Sequence, residues 1–229
     1  MKAILMSIKP QHVANILNGL KTIEIRKKFP SDYVGWVYIY VTKGKDLLSD
    51  DGYGKYYIVK SKECKDIIKS RNYHSNGKVV ARFWCDKVGR ISNYPYGYEM
   101  YLSGSILTRD IQVMKENEIC AKACLTKQEL RKYIPCDKER YGYAIHIQKL
   151  EIFDRPKEIK EFYKAGYENS VIATKKYILC SMNREERRRY KTDLDLKINN
   201  EIAVIKDNYK LTRAPQSWCY IEVDLWTND

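Results

Sequence analysis

A change of hydrophobic period near the N-terminus constrains the fold of this 229-residue chain more than any other feature. After Pro10, apolar residues recur at the spacing of one helix face, at Val13, Ile16, Leu17 and Leu20. Proline suits the first turn of a helix, and Gly19 stands where a left-handed cap would end one. The sequence therefore predicts a helix over residues 10–19 with one buried face.

The period changes to two at Thr22. Ile23 and Ile25 fall on one face of an extended segment. The opposite face carries Thr22, Glu24 and Arg26, because alternate side chains of a strand point to opposite faces. This pattern predicts a strand whose apolar face points inward and whose polar face points outward.

Further segments rich in β-branched and aromatic residues are predicted as strands: residues 1–8, 35–42, 78–88, 143–153 and 218–224. Parallel β-α-β repetition is scarce, so a doubly wound sheet is not favoured. We predict an α+β fold, in which a small mixed β-barrel is closed at one end by the first helix. Strands from both ends of the chain are expected in one sheet, which favours a single domain over residues 1–229.

Two capping boxes predict further helices. Thr126 with Glu129 begins a short helix that reaches residue 133, and Asn183 with Glu186 begins a longer one. The longer helix has apolar residues at intervals of four and is expected to bury Tyr190, Leu194, Ile198 and Ile202.

The net charge of the chain indicates which kind of molecule it binds. The chain carries 42 Lys and Arg against 29 Asp and Glu, a formal net charge of +13. Such an excess favours polyanions, because each phosphate contact releases counterions. A basic protein can also reach a similar total for solubility alone. Together with the strand pattern, the charge favours RNA or a nucleotide as the ligand.

The sequence gives no sign of a membrane partner. No apolar run approaches the roughly 18 residues of a membrane-spanning helix, and the N-terminal segment turns polar too soon for a secretion signal. We therefore expect a cytoplasmic protein.

The seven cysteines form no regular framework. Cys120, Cys124 and Cys136 come nearest to the spacing of a metal site, but a structural zinc normally takes four ligands in closer pairs. Reduced and mostly buried thiols are expected instead. Neither a metal nor another cofactor is predicted.

The segment GLKTIEIR, from Gly19 to Arg26, resembles the G-x-K-x-x-E-x-R signature of ASCH domains at all four fixed positions. It lies between the first predicted helix and the next strand, as in that family, whose fold resembles the PUA RNA-binding barrel. Residues 78–88 and 143–153, the RPKEI that follows, and the closing APQSWCY look like the bacterial and phage branch of the family. The resemblance covers roughly half of the chain.

Two polar stretches have no counterpart in this resemblance. Residues 43–77, with an expected short helix at residues 61–70, and residues 160–210 are predicted to be insertions in the ASCH domain.

The resemblance implies a cleft beside the barrel, floored by the motif, that binds RNA, a nucleotide or a modified base. Its candidate ligand-binding residues are Gly19, Lys21, Thr22, Glu24, Arg26, Trp218 and Tyr220. Arg26 offers a planar fork for a phosphate or a base edge, and Lys21 offers a compact charge. Glu24 can accept from an exocyclic amine, or it can hold Arg26 in place. From spacing alone, a solvated charged face is the alternative.

Arg26 is predicted to act in ligand binding and not in stability. Arg26→Ala is expected to weaken ligand binding and to leave stability almost unchanged, since the side chain is expected outside the core.

Hydrolysis in the same cleft is a second hypothesis. One branch of the family is similar to an amidohydrolase of an acylated cytidine, in which a threonine occupies the position of Glu24 here; this chain lacks that hydroxyl, and Thr22 is not an obvious replacement. Other members are similar to ribonucleases, for which Glu24 could act as general base and Lys21 could hold the phosphate. Lys21 and Glu24 are therefore the candidate catalytic residues if the protein is an enzyme.

Several other features have two interpretations each. The basic helix face could contact a nucleic-acid backbone or simply face solvent; its candidate residues are Arg184, Arg187, Arg188 and Lys191. A tyrosine-rich loop from residue 94 could stack bases or pack on the barrel. Trp218 and Tyr220 could wall the cleft or belong to the core. The three histidines show no partnered spacing and are predicted to be structural or exposed. The predicted insertions could also bind another protein.

Overall fold

We analysed a computed structural model, which describes residues 2–60, 75–94, 97–102, 112–135, 141–189 and 191–222. In these ranges the strands are β1 Lys2–Ile8, β2 Ile23–Arg26, β3 Gly35–Val41, β4 Leu47–Asp50, β5 Tyr56–Val59, β6 Val79–Cys85, β7 Val88–Tyr94, β8 Gly97–Leu102, β9 Gln112–Lys115, β10 Gly142–His146, β11 Gln148–Lys157, β12 Tyr163–Lys164 and β13 Trp218–Glu222. The α-helices are α1 Pro10–Leu17, α2 Glu116–Ala123, α3 Lys127–Tyr133, α4 Tyr167–Cys180, α5 Arg184–Arg189 and α6 Lys191–Tyr209, with a short 3₁₀ helix at Ile159–Glu161.

The strands pair in three sheets. A six-stranded sheet has the order β11-β6-β3-β1-β13-β12, and a five-stranded sheet has the order β2-β10-β7-β8-β9. Strands β4 and β5 form a separate hairpin. Strand β1 pairs in parallel with β3 and antiparallel with β13, so the two ends of the chain meet in one sheet as predicted.

The largest hydrophobic core gathers residues from both large sheets and from α1. It contains alternate residues of β1 and β3 together with Val13, Ile16 and Leu17 of the helix. In a second core, Ile23 and Ile25 on one face of β2 pack with residues of α2 and α3. Strand β2 therefore has a hydrophobic core behind one face, and its other face is free to carry polar groups.

The predicted change of period is confirmed with one exception. Helix α1 ends at Leu17 and β2 begins at Ile23, and Gly19 adopts the left-handed conformation with a φ of 71°. Leu20, however, is 62% exposed and does not extend the buried stripe. The helix has already ended at that point, so the spacing of four no longer returns the side chain to the same face.

The mixed α+β class is confirmed, whereas a closed barrel is not detected among the described strands. The segment predicted as one strand at residues 143–153 is divided at Ile147 into β10 and β11, which belong to different sheets. The expected tyrosine-rich loop is the β7–β8 hairpin instead. Tyrosine is a good strand former, which accounts for the extension of β7 and β8 into the expected loop.

The helical part of the chain also differs from the prediction. The capping box of Thr126 and Glu129 is present at the start of α3. Asn183 caps α5 through its side chain, which accepts from the backbone N–H of Glu185 and Glu186. Of the apolar stripe expected on the longer helix, Leu194 is buried, while Ile198 and Ile202 are half-buried. Helices α2 and α4 were not predicted.

The two predicted insertions contain regular structure. Residues 43–77 include the β4–β5 hairpin, and residues 160–210 include α4, α5 and α6. The helix expected at residues 61–70 lies outside the described residues, as does Tyr190. Among the helices that the structure describes, none is both long enough and apolar enough to cross a membrane.

Candidate functional site: a cleft with buried charges

The turn after α1 places Lys21 inside the protein. The backbone N–H groups of Leu20 and Lys21 both donate to the carbonyl oxygen of Asn15, at 2.9 and 3.0 Å. Gly19 supplies the positive φ that this tight reversal requires. As a result the side chain of Lys21 is directed inward, and the residue is only 2% exposed.

The two other charged residues of the motif share one face of β2. Glu24 lies opposite Ile145 of β10, and Arg26 lies opposite Tyr143. Because side chains alternate along a strand, Glu24 and Arg26 point away from the core that holds Ile23 and Ile25. Their exposures are only 2% and 8%, so this polar face of β2 is covered by other parts of the protein and does not point into open solvent.

The three charged side chains form one network. Arg26 Nη1 donates to Glu24 Oε1 in a close contact, and Lys21 Nζ lies 3.3 Å from Glu24 Oε2. Backbone carbonyl groups complete the surroundings of the cations. Lys21 Nζ donates to Ala123 O at the end of α2 over 2.5 Å, and Arg26 Nη2 donates to Ser7 O of β1 over 2.9 Å. The network thus joins β2 to α2 and β1.

The electrostatics fix the charge state of the carboxylate. Burial of Glu24 acts to raise its pKa, but the charges of Arg26 and Lys21 outweigh burial, and the pKa is lowered. Glu24 is therefore ionised at neutral pH. The neighbouring imidazole behaves differently: burial and the charge of Lys21 lower the pKa of His12, which keeps it neutral near pH 7.

Three buried polar side-chain atoms lack a hydrogen-bond partner within the described part of the chain, and all three belong to this cluster. They are His12 Nδ1, Glu24 Oε2 and Arg26 Nε. Glu24 Oε2 has its ion-pair contact with Lys21, but that contact lacks hydrogen-bond geometry. Unpaired buried polar atoms are uncommon because each costs about 1–3 kcal/mol. Their concentration at one place makes this cluster the candidate functional site.

The three atoms belong to residues that line a cleft of about 740 Å³. Its walls are the end of β1, the start of α1, the polar face of β2, helix α3, and residues 216 and 217 before β13. Lys9 and Lys132 add positive charge to the lining, and Glu129 adds a carboxylate. The volume lies within the range of about 300–1,000 Å³ that is usual for small-molecule sites.

Sequence reasoning missed the part of the lining outside the motif. His12 was predicted to be structural or exposed, yet its ring lines the cleft beside Glu24. Lys132 and Tyr133 come from α3, which follows the motif by about a hundred residues in the chain. The available sequence signal for His12 was its position in the predicted helix, directly before the buried Val13. No spacing rule connects that position to Glu24.

Four of the predicted ligand-binding residues do not line the cleft. Gly19 and Thr22 are exposed in the turn before β2. Trp218 packs edge-on against Phe29 with ring centroids 5.6 Å apart, and its Nε1 donates to Lys28 O. Tyr220 lies 6.4 Å from the ring of Tyr33.

The expectation that the tryptophan and the tyrosine of β13 wall the cleft is therefore corrected. Both rings belong to an aromatic cluster packed against the main core, because the strand alternation of β13 turns them in that direction.

The basic helix face is separate from the lining of the cleft. Arg187, Arg188 and Lys191 are exposed on α5 and α6, and Arg187 Nε donates to Met182 O. The side chain of Arg184 lies outside the described residues. Their predicted contact with a nucleic-acid backbone stays a prediction.

The cysteines and Tyr98 give no further site among the residues that the structure describes. Cys120 is buried, Cys124 is half-buried, and Cys136 falls outside the described ranges. No group of three or more potential metal ligands occurs in those ranges. Tyr98 is buried and donates its hydroxyl to Ile134 O, so this tyrosine of the expected loop is not available for base stacking.

The chain is similar to solved structures of an ASCH protein from Zymomonas mobilis. One of them is 13% identical with a TM-score of 0.41, over 69% of this chain and 73% of that chain. Two single-residue mutants of the same protein are 14% and 15% identical with TM-scores of 0.39; they cover 69% and 68% of this chain and 77% and 73% of theirs. No protein-family model and no curated protein matches the sequence.

All three structures are of ASCH proteins, the family whose signature the segment from Gly19 to Arg26 resembles. This likeness adds no ligand and no functional residue to the cleft. The fold and the site together define a mixed α+β protein with a buried Lys–Glu–Arg network in a basic cleft.

Proposed function

We propose that the protein binds RNA or a nucleotide in the cleft beside β2. The observation that supports this most is the group of buried atoms without a hydrogen bond on His12, Glu24 and Arg26, of which the Glu24 oxygen has only its ion-pair contact with Lys21. A fold retains such atoms at a cost of about 1–3 kcal/mol each unless a partner satisfies them. We expect a polar ligand in the cleft to supply such partners.

The arrangement of donors and acceptors fits a base edge. Arg26 Nε is a donor, Glu24 Oε2 is an acceptor, and the neutral imidazole of His12 can be either, depending on its tautomer. A nucleobase presents an exocyclic amine next to a ring nitrogen or carbonyl, which is the complementary pattern. Lys9 and Lys132 in the same cleft provide charge for a phosphate.

The network favours recognition over catalysis by Glu24. An efficient general base has a pKa near the working pH, whereas the pKa of Glu24 is lowered and both of its oxygens lie against cations. If the cleft hydrolyses RNA, the neutral imidazole of His12 is the more suitable base. Hydrolysis is thus a second candidate function with a different essential residue.

The first experiment identifies what the protein carries. Nucleotides or RNA fragments that copurify with the protein are identified by mass spectrometry, and nucleoside monophosphates of the four bases are then titrated by calorimetry. We expect a bound nucleotide and a preference for one base. If nothing copurifies and no nucleotide binds, the proposed function is wrong.

A charge-conserving variant then tests the site. Arg26→Lys keeps the cation beside Glu24 but removes the Nε donor and the planar fork. It should weaken nucleotide binding by about 1–3 kcal/mol, the usual cost of leaving one buried hydrogen-bonding group without its partner. Arg82→Lys is the matched control, because Arg82 also pairs with a glutamate, Glu151, but does not line the cleft. Equal losses in the two variants would exclude a specific role for Arg26.

The same samples separate the second candidate. Incubation with single-stranded RNA should give no cleavage if the cleft only recognises its ligand. Cleavage that is abolished in His12→Gln, with binding retained, would favour hydrolysis.

A further inference from the structure

Arg26, Tyr143 and Arg90 form a row across the five-stranded sheet, on the sheet face that carries Arg26. The row leads away from the cleft. In the five-stranded sheet, Arg26 lies opposite Tyr143 of β10, and Tyr143 lies opposite Arg90 of β7. Residues that face each other in neighbouring strands project from the same side of the sheet. Neighbouring strands are about 4.8 Å apart, so Arg90 lies about 10 Å from the Arg26 position.

The row is aromatic and positively charged. The guanidinium carbon of Arg90 lies 3.6 Å from the ring centroid of Tyr141, the residue before β10. The Tyr141 ring in turn packs edge-on against Tyr143, with centroids 5.5 Å apart. We call Arg90, Tyr141 and Tyr143 the Arg90 strip.

Two residues of the strip are accessible, and no described carboxylate pairs with its cation. Arg90 is exposed, Tyr141 is 38% exposed, and Tyr143 is half-buried. Within the described ranges Arg90 forms no ion pair, in contrast to Arg82 and Arg131, which are paired with Glu151 and Glu116. An exposed arginine stacked on tyrosine beside a basic cleft has the composition of a single-strand binding surface.

We propose that the Arg90 strip extends the ligand site, so that the protein binds a single-stranded oligonucleotide rather than a mononucleotide. This inference rests on the proposed function of the cleft. One nucleotide occupies the cleft at Arg26, and the strand continues over Tyr143 towards β7. Tyr141 offers a ring on which the next base stacks, and Arg90 contacts the phosphate between the two nucleotides.

The length of the oligonucleotide is the variable that tests this proposal. The affinity of the full-length protein is measured by fluorescence anisotropy and calorimetry for a nucleoside monophosphate, a dinucleotide and longer single-stranded RNA of the same base, with DNA of that sequence as a second series. The affinity should increase when the second nucleotide is added. From the usual contribution of base–aromatic stacking, the gain should be about fivefold to a hundredfold.

Variants of the strip should remove this gain. Tyr141→Ala and Arg90→Gln should lower the oligonucleotide affinity about tenfold while the monophosphate affinity changes little. Arg90→Gln should also reduce the slope of log affinity against log salt concentration by about 0.7, the value for one phosphate contact of a single strand. Tyr141→Phe keeps the ring and should retain the gain.

Matched controls come from exposed residues elsewhere. Tyr53→Ala removes a tyrosine at the tip of the β4–β5 hairpin, and Arg155→Gln removes an exposed charge on β11. Neither should alter the dependence on length.

The outcomes are distinguishable. If the wild-type protein binds the monophosphate as tightly as longer strands, or if the strip variants keep the gain, Arg90 and Tyr141 are only a surface cation–π pair and the inference is wrong. If no nucleotide of any length binds, the proposed function of the cleft is wrong as well.

Discussion

Replacement of Glu24 by glutamine should destabilise the protein strongly, because it leaves two cations in a buried site. Lys21 Nζ lies 3.3 Å from Glu24 Oε2, which corresponds to an attraction of about 5 kcal/mol at an effective dielectric constant of about 20. Arg26 loses its carboxylate partner in the same substitution. Removing one partner of a buried ion pair typically costs about 3–5 kcal/mol, and we expect Glu24→Gln to fall in that range.

The measurement is urea denaturation at pH 7, followed by tryptophan fluorescence and without added nucleotide. Domains are usually stable by about 5–15 kcal/mol, so a loss of this size is a large fraction of the total. The midpoint should decrease while the slope with urea stays the same, which indicates a change of stability rather than of compactness. Glu151→Gln is the matched control, since the Arg82–Glu151 pair is one-third exposed and should contribute no more than about 1 kcal/mol.

The pH dependence checks the same interpretation. The pKa of Glu24 is lowered from its ordinary value of 4.5 in the folded protein. The contribution of the Glu24 carboxylate to the free energy of unfolding is therefore present above pH 4.5. It is lost as the pH falls below that value, because the unfolded chain takes up the proton first. Wild type and Glu24→Gln should converge in acid. A loss in Glu24→Gln no larger than in Glu151→Gln, or a difference that persists unchanged in acid, would contradict the assignment of Glu24 as a buried paired carboxylate.

Two further predictions concern His12 and the basic helix. The pKa of His12 is lowered from 6.5, so its protonation opposes folding. The stability of the wild-type protein should therefore fall as the pH decreases below 6.5. In a urea-denaturation series between about pH 5 and 6.5, His12→Gln should show a flatter decrease of stability. If Arg187 and Arg188 contact a nucleic-acid backbone, Arg187→Glu with Arg188→Glu should weaken single-stranded RNA binding for every sequence and flatten its salt dependence, whereas Arg155→Glu should not. Unchanged affinity and salt slope would assign this helix face to solvent alone.

The part of the fold that could be predicted is the part decided by local rules. The change of period between Pro10 and Arg26 follows from the spacing of a few side chains, and the structure has the helix, the left-handed Gly19 and the strand at those positions. The capping box of Thr126 was also recognisable, since it depends on two residues three positions apart.

The elements that were missed lack a strong local pattern. Helix α4 has only Tyr167 and Ile178 fully buried along its length, so its apolar period is weak. Strands β10 and β11 follow one another with only Ile147 between them. A continuous alternating pattern does not show that the chain passes from one sheet to the other at that residue.

The candidate site was predictable only as far as the motif extends. The motif gave Lys21, Glu24 and Arg26, but alternation on a strand assigns Glu24 and Arg26 to the solvent side. Their burial depends on β1, which covers that side and whose Ser7 O accepts a hydrogen bond from Arg26. No rule of spacing within the motif could indicate this.

The same burial changes what a mutation of Arg26 can show. Arg26 was expected to contribute little to stability, yet it is 8% exposed and is hydrogen-bonded to Glu24 and to Ser7 O. Arg26→Ala would leave the Glu24 carboxylate with Lys21 as its remaining close cation, so stability and ligand binding would decrease together. The contacts that hold Arg26 in the fold also hold the residue at the lining of the cleft. A test of recognition must therefore keep the charge and remove only the donor, as Arg26→Lys does.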